Sequence, residues 1–409
     1  MRENSNNIYS SKDISKKGAD FLMHTYSRMD VVFSKAKMQY LWDIEGKKYT
    51  DFTSGYGCLN VGHSNPAVIK ALKEQIGKII QPSNIFYNIP QVELAEELCK
   101  LSGFGEKVFF SNSGAEAVEG AIKLARKYST DKYGKRRYEI ITFNNSFHGR
   151  TLGALAATAQ AKKQNVFEPL LSGFKYSDIN DTGSVKKQID GNTCAVIIEL
   201  IQGEGGINVC KKEFISELKK ICEENEILLI IDEIQTGFSR TGSVFAYQQY
   251  DIVPDIIVVA KSLGGGMPIG AVISTDRICS AFTPGTHGST FGGNAASCSA
   301  GIAVIRYLLE NDLAGKAEML GKYLIEKLRM LQSKYQIIQD VRGMGLMLAI
   351  EFKKPVAAAL IKDALKNGLI LNKVSENTIR FLPSLVINKK DIDFLIRFLD
   401  KYIKEEDEK

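Results

Sequence analysis

The sequence predicts an α/β protein, with a large domain on a mostly parallel, doubly wound sheet and a smaller α+β domain. Three observations carry this. The middle of the chain alternates short β-rich runs with helical stretches. Most of those runs are continuously apolar rather than alternating, as strands buried on both faces are. After Gly293 the texture changes and long helices take over. The 409 residues suffice for a large core and more than one domain.

Taken in order, residues 40–42 and 48–52 read as strand-like pieces of an N-terminal segment, 1–55, expected to pack on the small domain. The large domain is expected over 56–293. Its strands are predicted at 108–111, 139–143, 195–200, 227–232, 256–260 and 271–274, with helices such as 115–128 and 213–224 between them. The small domain, 294–409, is predicted to hold helices at 295–310, 313–335, 356–366 and 389–403, with strands at 347–352 and 378–381. The all-charged tail 404–409 is expected to fray. No internal repeat or low-complexity linker is evident.

Hydrophobic content of 44% and charged content of 24% are ordinary for a soluble globular chain. The net charge of +6, from 53 basic and 47 acidic residues, is too small and scattered to argue for nucleic acid. The densest basic stretch, 132–137, reads as a solvated loop rather than a phosphate patch. Seven cysteines, an odd count with no CxxC pair, fit a reduced chain better than a disulfide framework. Residues 1–17 are polar and lack the apolar core of a signal peptide, and no apolar run reaches the length of a membrane span. The expectation is a cytoplasmic protein with no membrane partner.

Five segments carry chemistry. Ser113 follows a strand and opens a helix, with Glu116 three residues on, a capping-box spacing. Alone it reads as an ordinary helix start; the functional alternative is an anion site, where free N–H groups and the helix dipole draw a phosphate that Gly114 lets approach. The buried run 227–232 ends in Asp232, at the carboxyl end of a strand where α/β proteins bind ligands. A loop cap or ion pair explains this as well as a partner for a protonated pyridine nitrogen does. A metal is disfavoured, since no histidine lies near in sequence and Gln235 is a poor ligand. Lys261 directly follows the apolar run 256–260 and precedes Gly264-Gly265-Gly266. Lysine is seldom buried without a partner. It is either a snorkelling strand-end lysine or an amine nucleophile of lowered pKa. The glycines lack phosphate-loop spacing. Residues 286–294 form a second glycine-rich loop, whose Ser289 and Thr290 offer phosphate contacts or merely join domains. His148 suggests acid–base work, while four histidines without HxxH-type spacing argue against a metal.

Together these segments resemble the class III, pyridoxal-phosphate-dependent aminotransferases of fold type I, nearest the acetylornithine and ornithine enzymes. Ser-Asn-Ser-Gly-Ala-Glu-Ala at 111–117, Ser-Phe-His-Gly-Arg-Thr at 146–151 and Ile-Gln-Gly-Glu-Gly-Gly at 201–206 match. So do Asp-Glu-Ile-Gln-Thr-Gly-Phe at 232–238, Ala-Lys-Ser-Leu-Gly-Gly-Gly at 260–266 and Gly-Ser-Thr-Phe-Gly-Gly-Asn at 288–294. The likeness runs from Tyr40 to Pro383, and the joint order makes chance matching remote.

The resemblance implies pyridoxal 5'-phosphate as cofactor, bound covalently by Lys261, which also shuttles the substrate proton. It implies Asp232 at the pyridinium nitrogen, Gln235 at the ring hydroxyl, Phe147 stacked on the ring, and Ser113, Gly114 and Ala115 at the phosphate. Thr290, with Ser289 beside it, reaches across a homodimer interface. Arg150 grips a substrate carboxylate. Glu204 covers Arg380 for one substrate and releases it for 2-oxoglutarate, and Tyr40 helps hold an amino-acid end. No metal is implied. The implied reaction moves the terminal amine of N-acetylornithine, or a similar ω-amino donor, to 2-oxoglutarate. The products are the semialdehyde and glutamate, a step suited to arginine biosynthesis. Ornithine, 4-aminobutyrate, succinylornithine and lysine are alternative donors; an aminomutase or racemase, or an inactive homologue, are other readings. Leu200 stands where the family usually has proline. Tyr40 is ornithine-enzyme-like, whereas 83–87 and the chain length are acetylornithine-enzyme-like.

Overall fold

The computed structural model describes residues 10–408. Residues 1–9 of the polar N-terminal stretch and Lys409 of the tail lie outside the described residues.

The main sheet has seven strands. In spatial order they are Lys107–Ser111, Gly270–Ser274, Ile256–Val259, Leu228–Asp232, Thr193–Ile198, Glu139–Phe143 and Phe174–Ser177. All run parallel except Gly270–Ser274, which is antiparallel to both its neighbours. Successive residues of the central strands enter two different cores. Ile197, Ile230, Ile256 and Val258 pack with the helix Gly114–Tyr133. Val196, Ile198, Leu229, Ile231, Ile257 and Val259 face the opposite core. This double burial is the physical reason the runs are apolar at every position.

The sheet places the chemistry. Asp232 is the last residue of its strand and pairs in register with Val258. Lys261 follows Val259 by two residues on the adjacent strand. The strands ending at Ser111, Phe143 and Ile198 lead into the segments of Ser113, Phe147 and Glu199. The parallel strands therefore deliver five chain segments to one edge, where ligands bind in open α/β sheets.

Beyond residue 293, the helices Ala295–Glu310 and Leu313–Lys334 precede an antiparallel sheet of Ile338–Met344, Met347–Phe352, Thr378–Phe381 and Asn372–Lys373. The N-terminal strands Phe33–Lys37, Tyr40–Asp43 and Lys48–Asp51 form a further sheet. It is completed by Leu369–Ile370, so the chain's two ends share hydrogen bonds.

Two expectations are corrected. The strand Phe174–Ser177 is an addition to the expected set; it is a short edge strand of mixed polarity in which only Ser177 is buried. The charged tail does not fray at 404, because the last helix, Lys389–Asp407, continues through it. There Asp407 Oδ1 accepts the Ile337 N–H at 2.8 Å. The seven cysteines are free. Among the described residues no helix is long and apolar enough to cross a membrane.

Candidate active site

At the carboxyl edge of the sheet lies a cavity of about 230 Å³, lined by Gly114, Ala115, Phe147, Arg150, Glu204, Asp232, Gln235 and Lys261. His148 and Glu199 also line it. Residues from 114 to 261 thus converge on one small volume.

Lys261 holds a left-handed backbone, φ 45°, at the start of a single 3-10 turn. For a lysine this is a strained conformation, of order 1–3 kcal/mol. Burial lowers the pKa of its amine, and the Arg380 charge lowers it further. Both effects favour the neutral amine, the form that acts as a nucleophile.

Asp232 Oδ2 lies 2.7 Å from His148 Nδ1, and Asp232 Oδ1 accepts the Ile234 N–H at 3.0 Å. Burial alone would lower the pKa of His148. The hydrogen bond and charge of Asp232, aided by Glu199, outweigh it and hold the imidazole above its usual value. His148 Nε2 is buried without a partner. Glu199 is buried too. Its Oε2 accepts the Phe147 N–H at 2.9 Å and its Oε1 the Gly203 N–H at 3.1 Å. Desolvation pushes its carboxyl up to about 7, with His148 opposing and Asp232 adding to the rise.

Ser113 is the N-cap of the helix Gly114–Tyr133, its hydroxyl accepting the Glu116 N–H at 3.2 Å. The reciprocal half of the capping box is absent. Glu116 Oε2 instead accepts the Asn112 N–H at 2.7 Å and Asn112 Nδ2 at 2.9 Å. Among the described residues no acceptor takes the first-turn N–H groups of Gly114 and Ala115, which remain for an anion. A Cβ on Gly114 would lie 2.9 Å from Ile234 Cδ1, so the cradle admits only glycine without a shift.

Arg380 is fully buried. Its Nη1 bonds Glu204 Oε1 at 2.6 Å, Gly203 O at 2.8 Å and Gln235 Oε1 at 3.2 Å, and its Nη2 bonds Asn372 Oδ1 at 2.8 Å. Burial would raise the Glu204 pKa, but the Arg380 charge and hydrogen bond hold it below the usual carboxylate range. The Arg150 guanidinium carbon stands 5.6 Å from the Phe147 ring centroid.

Three expected residues lie apart from this cavity. The Tyr40 hydroxyl donates to Asp391 Oδ1 at 2.9 Å. Ser289 and Thr290 line a separate depression with Asn112, Glu116 and His287. There Ser289 Oγ accepts Asn112 Nδ2 at 3.1 Å and the Gly292 N–H at 3.0 Å.

These residues fit pyridoxal phosphate: an amine of lowered pKa for its aldehyde, a carboxylate for its ring nitrogen, an aromatic wall, and a glycine cradle under free N–H groups for its phosphate. From sequence, His148 suggests acid–base work and Glu199 has no role. Their buried contacts lie 84 and 52 residues away along the chain, and only the Phe-His-Gly-Arg motif hinted at the first.

The family model for "Aminotransferase class-III" matches residues 22–403. The acetylornithine aminotransferase of Caldanaerobacter subterraneus subsp. tengcongensis is 46% identical over 94% of this chain and 98% of its own. That of Methanocaldococcus jannaschii is 45% identical over 96% of this chain and 98% of its own. Among solved structures, an ornithine aminotransferase from Toxoplasma gondii superposes with a TM-score of 0.95. Its identity is 32%, covering 98% of this chain and 97% of that one, and pyridoxal phosphate partly occupies its active site. The acetylornithine aminotransferase of Elizabethkingia anophelis gives 0.87 at 34% identity, covering 97% and 100%. By family model, sequence and fold alike, this chain belongs to the class-III aminotransferases.

Proposed function

We propose that this chain is a pyridoxal-phosphate-dependent aminotransferase that passes the terminal amine of N-acetylornithine to 2-oxoglutarate, giving the semialdehyde and glutamate. The observation that carries the reading is the convergence of Lys261, Asp232 and the Gly114–Ala115 helix start on one cavity. The acetylornithine aminotransferases among its relatives supply the donor.

When bound, the cofactor supplies an aldehyde for amine capture and an electron sink for the substrate carbanion. The chain does the rest. Lys261 presents an amine whose pKa burial lowers, and moves a proton to and from the substrate carbon. Asp232 keeps the ring nitrogen protonated, and His148, donating from Nδ1, orients that carboxylate. Phe147 excludes water from one face. Gly114 and Ala115 hold the phosphate through backbone N–H groups, with Ser113 completing the turn. Gln235 keeps an amide N–H for the ring hydroxyl while its oxygen accepts from Arg380. Arg150 binds a substrate carboxylate. Glu204 neutralises Arg380 while the donor is present and yields it to 2-oxoglutarate. We assign Ser289 and Thr290 to the partner's phosphate in a homodimer. We infer likewise an N-terminal segment to 55, a large domain to 293 and a small domain beyond it, and a cytoplasmic enzyme.

A second reading, ornithine as donor, is favoured by the Toxoplasma likeness. A panel of ω-amino donors with 2-oxoglutarate decides. N-acetylornithine is expected to lead; a marked preference for ornithine would transfer the assignment. Purified protein is expected to absorb in the visible range. Lys261→Ala is expected to lose that band and about 10⁴-fold of the rate. A protein that takes up no pyridoxal phosphate would sink both readings.

A further inference from the structure

Lys163 lies on the short helix Ala161–Gln164, outside the segments assigned so far. It is half-buried, whereas its neighbour Lys162 is exposed. Its ammonium stands 4.9 Å from the Phe147 ring centroid, on the same ring that Arg150 approaches at 5.6 Å. Cations are attracted to aromatic faces, but two on one ring repel each other. Its ammonium donates to Gln160 Oε1. Gln160 Nε2 in turn donates to Ser146 O at 3.0 Å, which ties the lysine to the loop bearing Phe147.

No ion pair of Lys163 occurs among the described residues, so a half-buried ammonium sits beside a guanidinium with only a neutral partner. The arrangement is unfavourable until an anion arrives. Phe147, Arg150 and Glu204 line the same cavity, so the ammonium stands behind a ring of the cavity that holds Glu204. Burial and Arg150 lower its pKa, and Glu204 is the carboxylate that most opposes them. Lys163 in turn is among the charges that act on Glu204.

Glu204 is the one group at the cavity required to change partners. A carboxylate leaving a 2.6 Å pair with a fully buried arginine loses its compensation unless a second cation receives it. We propose that Lys163 is a specificity-determining residue that receives the displaced Glu204 carboxylate while Arg380 binds a carboxylate of the acceptor. This deepens the reading above and rests on it. Its effect is confined to the dicarboxylate, because the donor leaves the Glu204–Arg380 pair closed.

The test compares two unreactive ligands on the holoenzyme. Glutarate carries both carboxylates of the acceptor without its carbonyl. N-acetylnorvaline is the donor without its terminal amine. Dissociation constants are read by calorimetry and from the cofactor's visible band. Lys163→Met is expected to weaken glutarate about tenfold, leave N-acetylnorvaline within about twofold, and keep the wild-type melting temperature; Lys163→Arg is expected to restore glutarate binding. In a Glu204→Gln background the Lys163→Met effect is expected to vanish, since no carboxylate remains to be received. Equal glutarate affinity in wild type and Lys163→Met overturns the proposal. So does a full tenfold loss that persists in the Glu204→Gln background, which would mean that Lys163 touches the ligand itself. If wild-type protein binds neither ligand yet holds the cofactor, the donor and acceptor assignment has failed, and this inference with it.

Discussion

Asp232, His148 and Glu199 form a buried network in which each charge depends on the others. Asp232 and His148 meet at 2.7 Å. Asp232→Asn keeps the size but removes the charge that raises the imidazole's pKa and faces the ring nitrogen. A rate loss of about 10²- to 10³-fold is expected in single-turnover assays, with the protein still folded. The pH dependence follows from the same network. His148 titrates above its usual value, so its stabilising share is complete below about 6.5 and fades as pH rises through the higher folded value. Glu199 titrates at about 7 instead of 4.5. The folded state therefore holds that proton more tightly than the unfolded chain, and stability falls as pH rises between those values. Glu199→Gln removes its share. The variant's melting temperature should fall less steeply than wild type's between about pH 4.5 and 7, measured at fixed ionic strength. Parallel slopes would contradict the buried-carboxyl account. Lys261 and Asp232 could be read from the sequence because each is marked by its own neighbours: an apolar run, then a polar residue at its end. Glu199 also ends an apolar run, 195–198, and His148 sits in a Phe-His-Gly-Arg motif, yet what each does comes from partners that only folding brings near.

The main-sheet strands were largely legible for the same local reason, since double burial writes itself as unbroken apolar runs. The direction of Gly270–Ser274 was not, because reversing a strand leaves its apolar pattern unchanged. Glycines of close approach were equally silent. In the helix Leu313–Lys334, a Cβ on Gly321 would lie 2.1 Å from Gly345 O and 2.4 Å from its carbonyl carbon. Gly345 lies in the turn between the strands Ile338–Met344 and Met347–Phe352, at φ 54°. Its own Cβ would meet Arg240 O at 2.6 Å. Three backbones are thus stacked at contact distance: helix, turn and the segment of Arg240. Arg240 is itself fully buried, donating to Leu346 O and Pro383 O. Gly321→Ala forces the helix outward, because the obstructing atoms are backbone. A stability loss of about 1–3 kcal/mol is expected from chemical denaturation, with an unchanged visible band under native conditions. A neutral outcome would mean that the helix slides freely over the turn.

Across the whole molecule, the exposed apolar side chains are unevenly spread. Ile85, Phe86, Tyr87, Ile89 and Val92 are all exposed, Tyr87 at 96%. Such a cluster marks an interaction surface rather than ordinary scatter. It borders an open groove of about 860 Å³ between the helices Pro66–Ile76, Ile89–Ser102 and Ala295–Glu310, away from the catalytic cavity. The segment also carries the hydroxyl loop. Gln81 Nε2 donates to Thr290 O, and Asn84 Nδ2 to Ser289 O at 2.8 Å and Gly292 O at 2.9 Å. A partner covering the apolar segment therefore meets Ser289 and Thr290 as well, although neither reaches the cavity of its own chain. The proposed homodimer gives them a place at the partner's phosphate, and complementation tests it. Lys261→Ala lacks the amine, and Thr290→Glu sets a negative charge against the phosphate, so each homodimer should be nearly inactive. In a mixed dimer, the Thr290→Glu subunit keeps its own Lys261 and borrows an intact Thr290 from its partner, restoring one site of two. Random pairing makes half the dimers mixed, so co-expressed subunits should recover about one quarter of wild-type activity. If Thr290 served its own chain's site, every site would carry one lesion, and co-expression would give no more than the two variants alone.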